Sequence, residues 1–330
     1  MLDSLRDVDV LVTGASGFLG SHLTRRLVAE GAKVHAFIRP DSDRERVSDI
    51  IATVRVWPGD LRDQASVDRS VEGARPRVVY HAAGFTRGRE WQDAAAPELL
   101  EHSFDVNVTG TMRLLVAARR HAPDARIIRI GGLEEYGCGD LPYREPQREA
   151  PTSAYSASQV AATHLAEMFH RRLGMATVTL RPELIYGPRQ STTFFIPALI
   201  HACLANEPFE ITAADHTRDF VYVDDVVEAG IRTALTSGVE GEIINVGSGQ
   251  EHRVNHIARL VATLTGSHAG IRIADRGRRP TDLPRLVCDP SRARDLLGWH
   301  AGTPTEVGLD RTIAWYRHAR RSDDSDTPGG

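Results

Sequence analysis

The residues best placed to do chemistry together lie near the start of the chain. Thr13-Gly14-Ala15-Ser16-Gly17-Phe18-Leu19-Gly20 follows an apolar run at 8–13 and opens a stretch with helical spacing at 18–30. Gly14 permits a tight turn, and Gly17 lets the backbone approach a pyrophosphate. Gly20 allows the helix to pack on the strand, while the N–H groups of the turn and first helical residues (Ser16, Phe18, Leu19) face an anion. This is the apparatus for holding a nicotinamide dinucleotide, and its chemistry is hydride transfer. The next strand, 34–38, ends at Ile38 and Arg39. An acidic residue there would bond the ribose 2′-hydroxyl of NAD, whereas arginine pairs with a 2′-phosphate. The expected cofactor is therefore NADP(H), with NAD(H) second, and the plain alternative for Arg39 is a solvated surface side chain.

Composition narrows the rest. The chain has 330 residues, 41% hydrophobic and 25% charged, with a net charge of −4. That length accommodates one large α/β domain and a smaller one. The charge is evenly spread, so neither a nucleic-acid nor a membrane partner is expected. Cys138, Cys203 and Cys288 are far apart without a CxxC pair, so no metal is expected and a reduced, cytoplasmic setting fits. Lys33 is the only lysine among 40 basic residues. No other side-chain ammonium is available to an active site.

The glycine loop needs a scaffold of parallel strands. Apolar runs at 8–13, 34–38, 54–57, 78–81, 127–130 and 177–180 read as strands, and 18–30, 106–121 and 155–173 read as helices. Their alternation predicts an α/β fold of Rossmann type, a doubly wound parallel sheet. Beyond Arg181 the pattern loosens, with helices at 194–205, 226–235 and 255–264. We expect a cofactor domain over 1–180, with segments returning from about 220–248, and a mainly substrate-binding lobe over 181–320. The polar residues 321–330 read as a disordered tail.

Further motifs follow in order: Gly59-Asp60-Leu61, His81-Ala82-Ala83-Gly84, Asn107, Tyr136-Gly137, Tyr155, Tyr186-Gly187-Pro188-Arg189, then 218–225, 245–249 and Leu297-Gly298-Trp299. On these the chain resembles, over about 9–317, the extended short-chain dehydrogenase/reductases of the nucleoside-diphosphate-sugar epimerase, dehydratase and reductase group. The resemblance implies that Asp60 and Leu61 meet the adenine. It places His81, Ala82 and Ala83 beside the cofactor phosphates and nicotinamide. It also implies a homodimer through the helices 106–121 and 155–173. Glu134-Glu135-Tyr136-Gly137 with Leu141-Pro142 looks particularly like the 4-keto-sugar nucleotide reductases.

The family works with a Ser/Thr, a Tyr and a Lys. Its tyrosine exchanges a proton with the substrate oxygen, and its lysine holds the nicotinamide ribose and lowers the phenol's pKa. Here Tyr155 is followed four residues later by Gln159, on the same helical face. The Ser/Thr position falls at Gly131 or Gly132. The asparagine before Tyr-Gly-Pro, which binds the diphosphate in the family, aligns with Leu184, and an apolar side chain cannot donate to a phosphate. Gly132, Leu184 and Arg218 form the expected substrate-binding set; Arg218 either clamps a diphosphate or pairs with Asp219 or Asp224.

A phenol with its ordinary pKa near ~10 donates protons at neutral pH and is a poor base. Thr86 could lend a hydroxyl near the carbonyl. Glu134 stands where family dehydratases carry an active-site carboxylate, but their neighbouring aspartate is Leu133 here. The leading expectation is an NADPH-dependent ketoreductase of secondary metabolism, acting on a nucleotide-linked keto-sugar or a polyketide-like ketone. The alternatives are a sugar-nucleotide epimerase or dehydratase with internal redox, and an inactive cofactor-binding protein.

Overall fold

The computed structural model describes residues 2–85, 97–274 and 283–325. In chain order its first half comprises β1 (Asp9–Thr13), α1 (Phe18–Ala29), β2 (Lys33–Ile38), β3 (Arg55–Pro58), α2 (Gln64–Ala74), β4 (Val78–His81), α3 (Pro97–Phe104), α4 (Gly110–His121), β5 (Arg126–Ile130), α5 (Ala154–Leu173) and β6 (Thr177–Pro182). There follow β7 (Leu184–Tyr186), α6 (Phe195–Ala205), β8 (Phe209–Ile211), β9 (Thr217–Arg218), β10 (Phe220–Tyr222), α7 (Val223–Leu235), β11 (Ile243–Val246) and α8 (Val254–Thr265).

Seven strands make one sheet in the order β11-β6-β5-β4-β1-β2-β3, with every neighbouring pair parallel. Apolar runs such as β4 and β6 are buried at every residue, as a sheet covered on both faces requires. Alternate side chains serve the two faces. Val10 and Val12 of β1 join one core cluster, with Leu23, Leu27, Val226 and Val227 of α1 and α7. Leu11 between them joins another, with Val67, Leu114, Leu115 and Phe169 of α2, α4 and α5. The chain leaves β1 towards β2 on one side and β4 on the other, which opens a crevice at the carboxyl ends of these strands.

A smaller core of Tyr186, Leu199, Ile200, Tyr222, Ile257, Val261, Leu309 and Ile313 lies outside the sheet layers. Trp299 ties the C-terminal segment back to the large core; it is 1% exposed, and its Nε1 donates to Asp225 O at 2.9 Å.

Two expectations are corrected. The helix foreseen at 106–121 begins earlier, at Pro97, and is broken by a π-helical turn at Asp105–Thr109. Asn107 lies in that turn. Its Oδ1 accepts from Phe85 N at 2.7 Å, and its Nδ2 donates to Ser158 Oγ at 2.9 Å. The extra residue in the turn thus aims an amide between the end of β4 and α5. The tail also differs. The last helix, Thr305–Ser325, continues into the stretch expected to be disordered. Leu309, Ile313 and Tyr316 anchor it to the smaller core, so the turns beyond them extend a helix already begun. Residues 326–330 lie outside the described residues. Among the described residues no helix is long and apolar enough to cross a membrane.

Candidate active site

The loop between β1 and α1 is built for close approach. Gly14 has φ +71°, and a Cβ there would lie 2.6 Å from Ala83 N; one on Gly20 would lie 2.0 Å from Gly14 O. Gly17 caps α1 and no side chain does so, so the first-turn N–H groups of Phe18 and Leu19 keep their donors for an anion. Ser16 and Gly17 share a pocket with Ile38, Arg39, Leu61 and Ala83. These glycine-lined walls fit a dinucleotide.

At the far end of that pocket, Arg39 Nε is 3.4 Å from Ser42 Oγ, and both residues line the wall. Asp60 lines it too, but its carboxylate is gripped by Arg62, with Nη2 2.7 Å from Oδ2. That contact holds its pKa below the usual carboxylate range. His81 is not among the residues that line that pocket. It is buried, with Nδ1 2.8 Å from Thr13 Oγ1 and Nε2 2.9 Å from Thr111 Oγ1. Burial pushes its pKa down to about 3. His81 is a neutral clamp joining β1, β4 and α4, and what reaches the pocket is the Ala82-Ala83 backbone after it.

Tyr155 and Gln159 open α5, whose N-terminus is fixed by a capping box between Ser153 and Ser156. A Cβ on Gly132 would meet Tyr155 Oη at 3.5 Å, so Gly132 faces the phenol. One on Gly131 would collide with Glu135 Oε1 at 2.3 Å and Arg129 Nη1 at 2.9 Å. Of the two glycines at the Ser/Thr position, only Gly132 looks onto the site. Gln159 is 5% exposed. Its backbone carbonyl accepts from Arg129 Nη2 at 3.1 Å, and its side-chain Oε1 accepts from the same nitrogen. Sequence reasoning missed Arg129. Its signal was a charged residue in the middle of an otherwise apolar strand, which a buried parallel sheet accepts only with partners.

That arginine heads a buried ladder. Glu135 Oε1 stands 3.8 Å from Arg129 Nη1, and Glu135 Oε2 is 2.7 Å from Arg181 Nη2. Arg181 in turn reaches Glu149 at 2.7 Å. Glu134, beside Glu135, is half-buried, and its charge acts on Glu183 and Tyr143. Thr86 lies outside the described residues.

On the substrate side, Leu184 and Arg218 line one pocket with Phe194, Phe209 and Phe220. Arg218 lies at the edge of that pocket beside His216. It donates to Thr217 O at 2.7 Å, and its Nη2 lies 3.3 Å from His216 Nδ1. Asp219 accepts from Ser248 N, Ser248 Oγ and Gly249 N at 3.0, 2.5 and 2.7 Å, and Asp224 faces His22 at 3.4 Å. Among the described residues, Glu183, Asp219 and Cys288 bring ligand-type atoms within 4.8 Å of one another. Both Asp219 oxygens are already taken, and burial, then Asp219, raises the Glu183 pKa well above its ordinary value.

The sequence model of the NAD dependent epimerase/dehydratase family matches residues 10–247. The chain belongs to that family. A dTDP-glucose 4,6-dehydratase of Xanthomonas campestris pv. campestris is 30% identical over 93% of this chain and 92% of its own. A UDP-glucose 4-epimerase of Mycolicibacterium smegmatis is 29% identical over 93% of this chain and 98% of its own. Among solved structures, the Thermus thermophilus UDP-glucose 4-epimerase complex with NAD superposes with a TM-score of 0.83, at 29% identity, covering 94% of this chain and 99% of that one. The family is one of NAD(P)-dependent oxidoreductase-type enzymes. Its named members favour the internal-redox alternative over the ketoreductase expected from the missing lysine.

The Glu183–Asp219 pair gives the fold a pH signature. Burial raises Asp219 to about 6, with the Ser248 and Gly249 bonds opposing. Both carboxyls hold protons more tightly folded than unfolded. Their stabilising contribution is therefore complete below about pH 4 and is lost as pH rises, through about 6 for Asp219. Glu183→Gln should melt above the parent protein, by a wider margin at about pH 7.5 than at about pH 5. Equal margins in thermal denaturation would refute this account.

Proposed function

We propose that this chain is a sugar-nucleotide epimerase. It would oxidise and re-reduce one carbon of the sugar in a nucleoside-diphosphate sugar, without net consumption of its cofactor. The observation that carries this is likeness along the whole chain to relatives that include a UDP-glucose 4-epimerase, at 29% identity over 93% of its length. Dehydration is the second reading, since the dehydratase of Xanthomonas is among these relatives. Elimination of water calls for an acid and a base. Leu133 is 2% exposed in an apolar cluster with Tyr136 and Tyr143, and Glu135 is bound to Arg181. Glu134 then offers a single carboxylate where an acid and a base are both needed, and epimerisation is favoured.

Gly14, Ser16 and Gly17 would hold the pyrophosphate, Leu61 the adenine, and Gln159 the nicotinamide ribose. The bound nicotinamide supplies the hydride acceptor and donor. Tyr155, facing Gly132, exchanges the proton of the sugar hydroxyl. The absence of a side chain at Gly132 leaves room there for the substrate oxygen. Arg218 takes the diphosphate, while Leu184 gives its pocket an apolar wall in place of the family's asparagine. NADP(H) is preferred because Arg39 and Ser42 form the pocket wall where a ribose-binding carboxylate would stand. A homodimer through α3, α4 and α5 is in keeping with the exposed Leu100, Phe104, Met112 and Met168 on those helices.

Incubation with UDP- and dTDP-hexoses should yield the epimeric sugar by NMR, with no change in reduced-nicotinamide absorbance. Stoichiometric consumption of NADPH on a keto-sugar or polyketide ketone would return the ketoreductase reading. Arg39→Ala should weaken NADP binding about tenfold or more, the worth of a hydrogen bond to a charged group, and leave NAD binding unchanged. Equal losses for both cofactors would exclude a phosphate contact. Light scattering should give twice the mass of one chain, and a monomeric mass would dismiss the dimer.

A further inference from the structure

Strand β5 carries a charge with no ordinary place in a central strand. Arg129 is 2% exposed, between β4 and β6. A guanidinium stays protonated in proteins, and burial is tolerated only where its donors are matched. Its donors reach across to α5. Nη1 donates to Thr163 Oγ1 at 2.9 Å, and Nη2 donates to Gln159 O and Oε1. Because guanidinium only donates, this contact decides which way the Gln159 amide lies. Oε1 faces Arg129, and Nε2 points away, 3.7 Å from where a Cβ on Gly84 would stand, on the wall of the dinucleotide pocket. Tyr155 is one helical turn earlier, close enough that phenol and guanidinium interact electrostatically.

We propose that Arg129 is a positioning cation that replaces the missing lysine in two parts. Through Gln159 it presents a polarised amide donor to the nicotinamide ribose, and its charge favours the phenolate of Tyr155. The use of that phenolate rests on the epimerase reading; the electrostatics do not.

The surrounding charges permit this role. Glu135, from the turn after β5, is the nearest carboxylate to Arg129, at 3.8 Å, but it gives its closer contacts to Arg181 of β6 at 2.7 and 2.9 Å. Glu149 is likewise turned to Arg181, with His164 of α5 3.7 Å beyond it. His81 of β4 is held neutral by burial and by Arg129. The carboxylates are therefore matched mainly to Arg181, and Arg129 keeps a share of its charge for the Tyr155 side. Hydrogen bonds in such a chain polarise one another, which strengthens the outward N–H of Gln159.

The test reads Tyr155 itself and needs no substrate. Protein carrying 13C at the tyrosine Cζ is loaded with dinucleotide and titrated by NMR, with Tyr155→Phe identifying the signal. The parent midpoint should lie at least about one unit below the ordinary phenol value near ~10. Arg129→Met should raise it by about one unit or more, and adding Gln159→Lys to that variant should bring it back and restore dinucleotide affinity. A parent midpoint at or above the ordinary value would overturn the proposal, even if Arg129→Met fails to fold. So would a folded Arg129→Met with an unmoved midpoint, or a folded double variant without recovery. Failure of the epimerase assay alone would leave these midpoints in place and count only against the function.

Discussion

The catalytic end of this molecule depends on a row of desolvated charges beneath it. Arg129, Glu135 and Arg181 are each no more than 2% exposed, and they join β5, the turn after it and β6. Burying such ions costs several kcal/mol each unless partners replace the lost water, and removing one partner typically costs about 3–5 kcal/mol. Here most of the partners are present, although the buried Arg181 Nη1 has no hydrogen-bond partner among the described residues. Glu135 accepts from Gly132 N, Thr163 Oγ1 and Arg181 Nε, and the arginine planes are met by Gln159, Glu149 and the Tyr136 ring. The row therefore fixes where α5 starts relative to β5, and with it the placement of Tyr155 and Gln159 over the strand ends.

The same row explains a gap in the expected chemistry. Gly131 has no room for a side chain because Glu135 and Arg129 occupy the space its Cβ would need. Gly132 is under no such pressure and faces Tyr155 instead. Gly132 and the arginine beneath it belong to one connected site, joined through Glu135. A lysine at 159 would bring a second cation against Arg129, which the low dielectric of the interior would penalise.

The dinucleotide end depends on close packing rather than charge. Gly14 and Gly20 let the loop, α1 and the end of β4 approach to distances that a Cβ would forbid. The uncapped start of α1 then supplies donors without any cationic side chain. Asn107 and His81 are the braces. One holds the backbone after β4 from a π-helical turn, and the other ties β1, β4 and α4 together with a neutral ring.

The sequence by itself determined the alternation of strands and helices, the glycine loop between β1 and α1, and the family. These depend on local spacing: short continuous apolar runs, helical periodicity, and glycines where turn and packing geometry demand them. It also singled out Tyr155, Gln159, Leu184 and Arg218 as candidates by their place along the chain. It could not show that Arg129, thirty residues before Gln159, is bonded to it, because that contact crosses from β5 to α5. It could not show that His81 spends both ring nitrogens on Thr13 and Thr111, or that Asp219 bonds to Ser248. Those outcomes turn on which strands become neighbours, and burial then forces each polar group to find whatever partner the packing has brought within reach. Only the tertiary structure decided them.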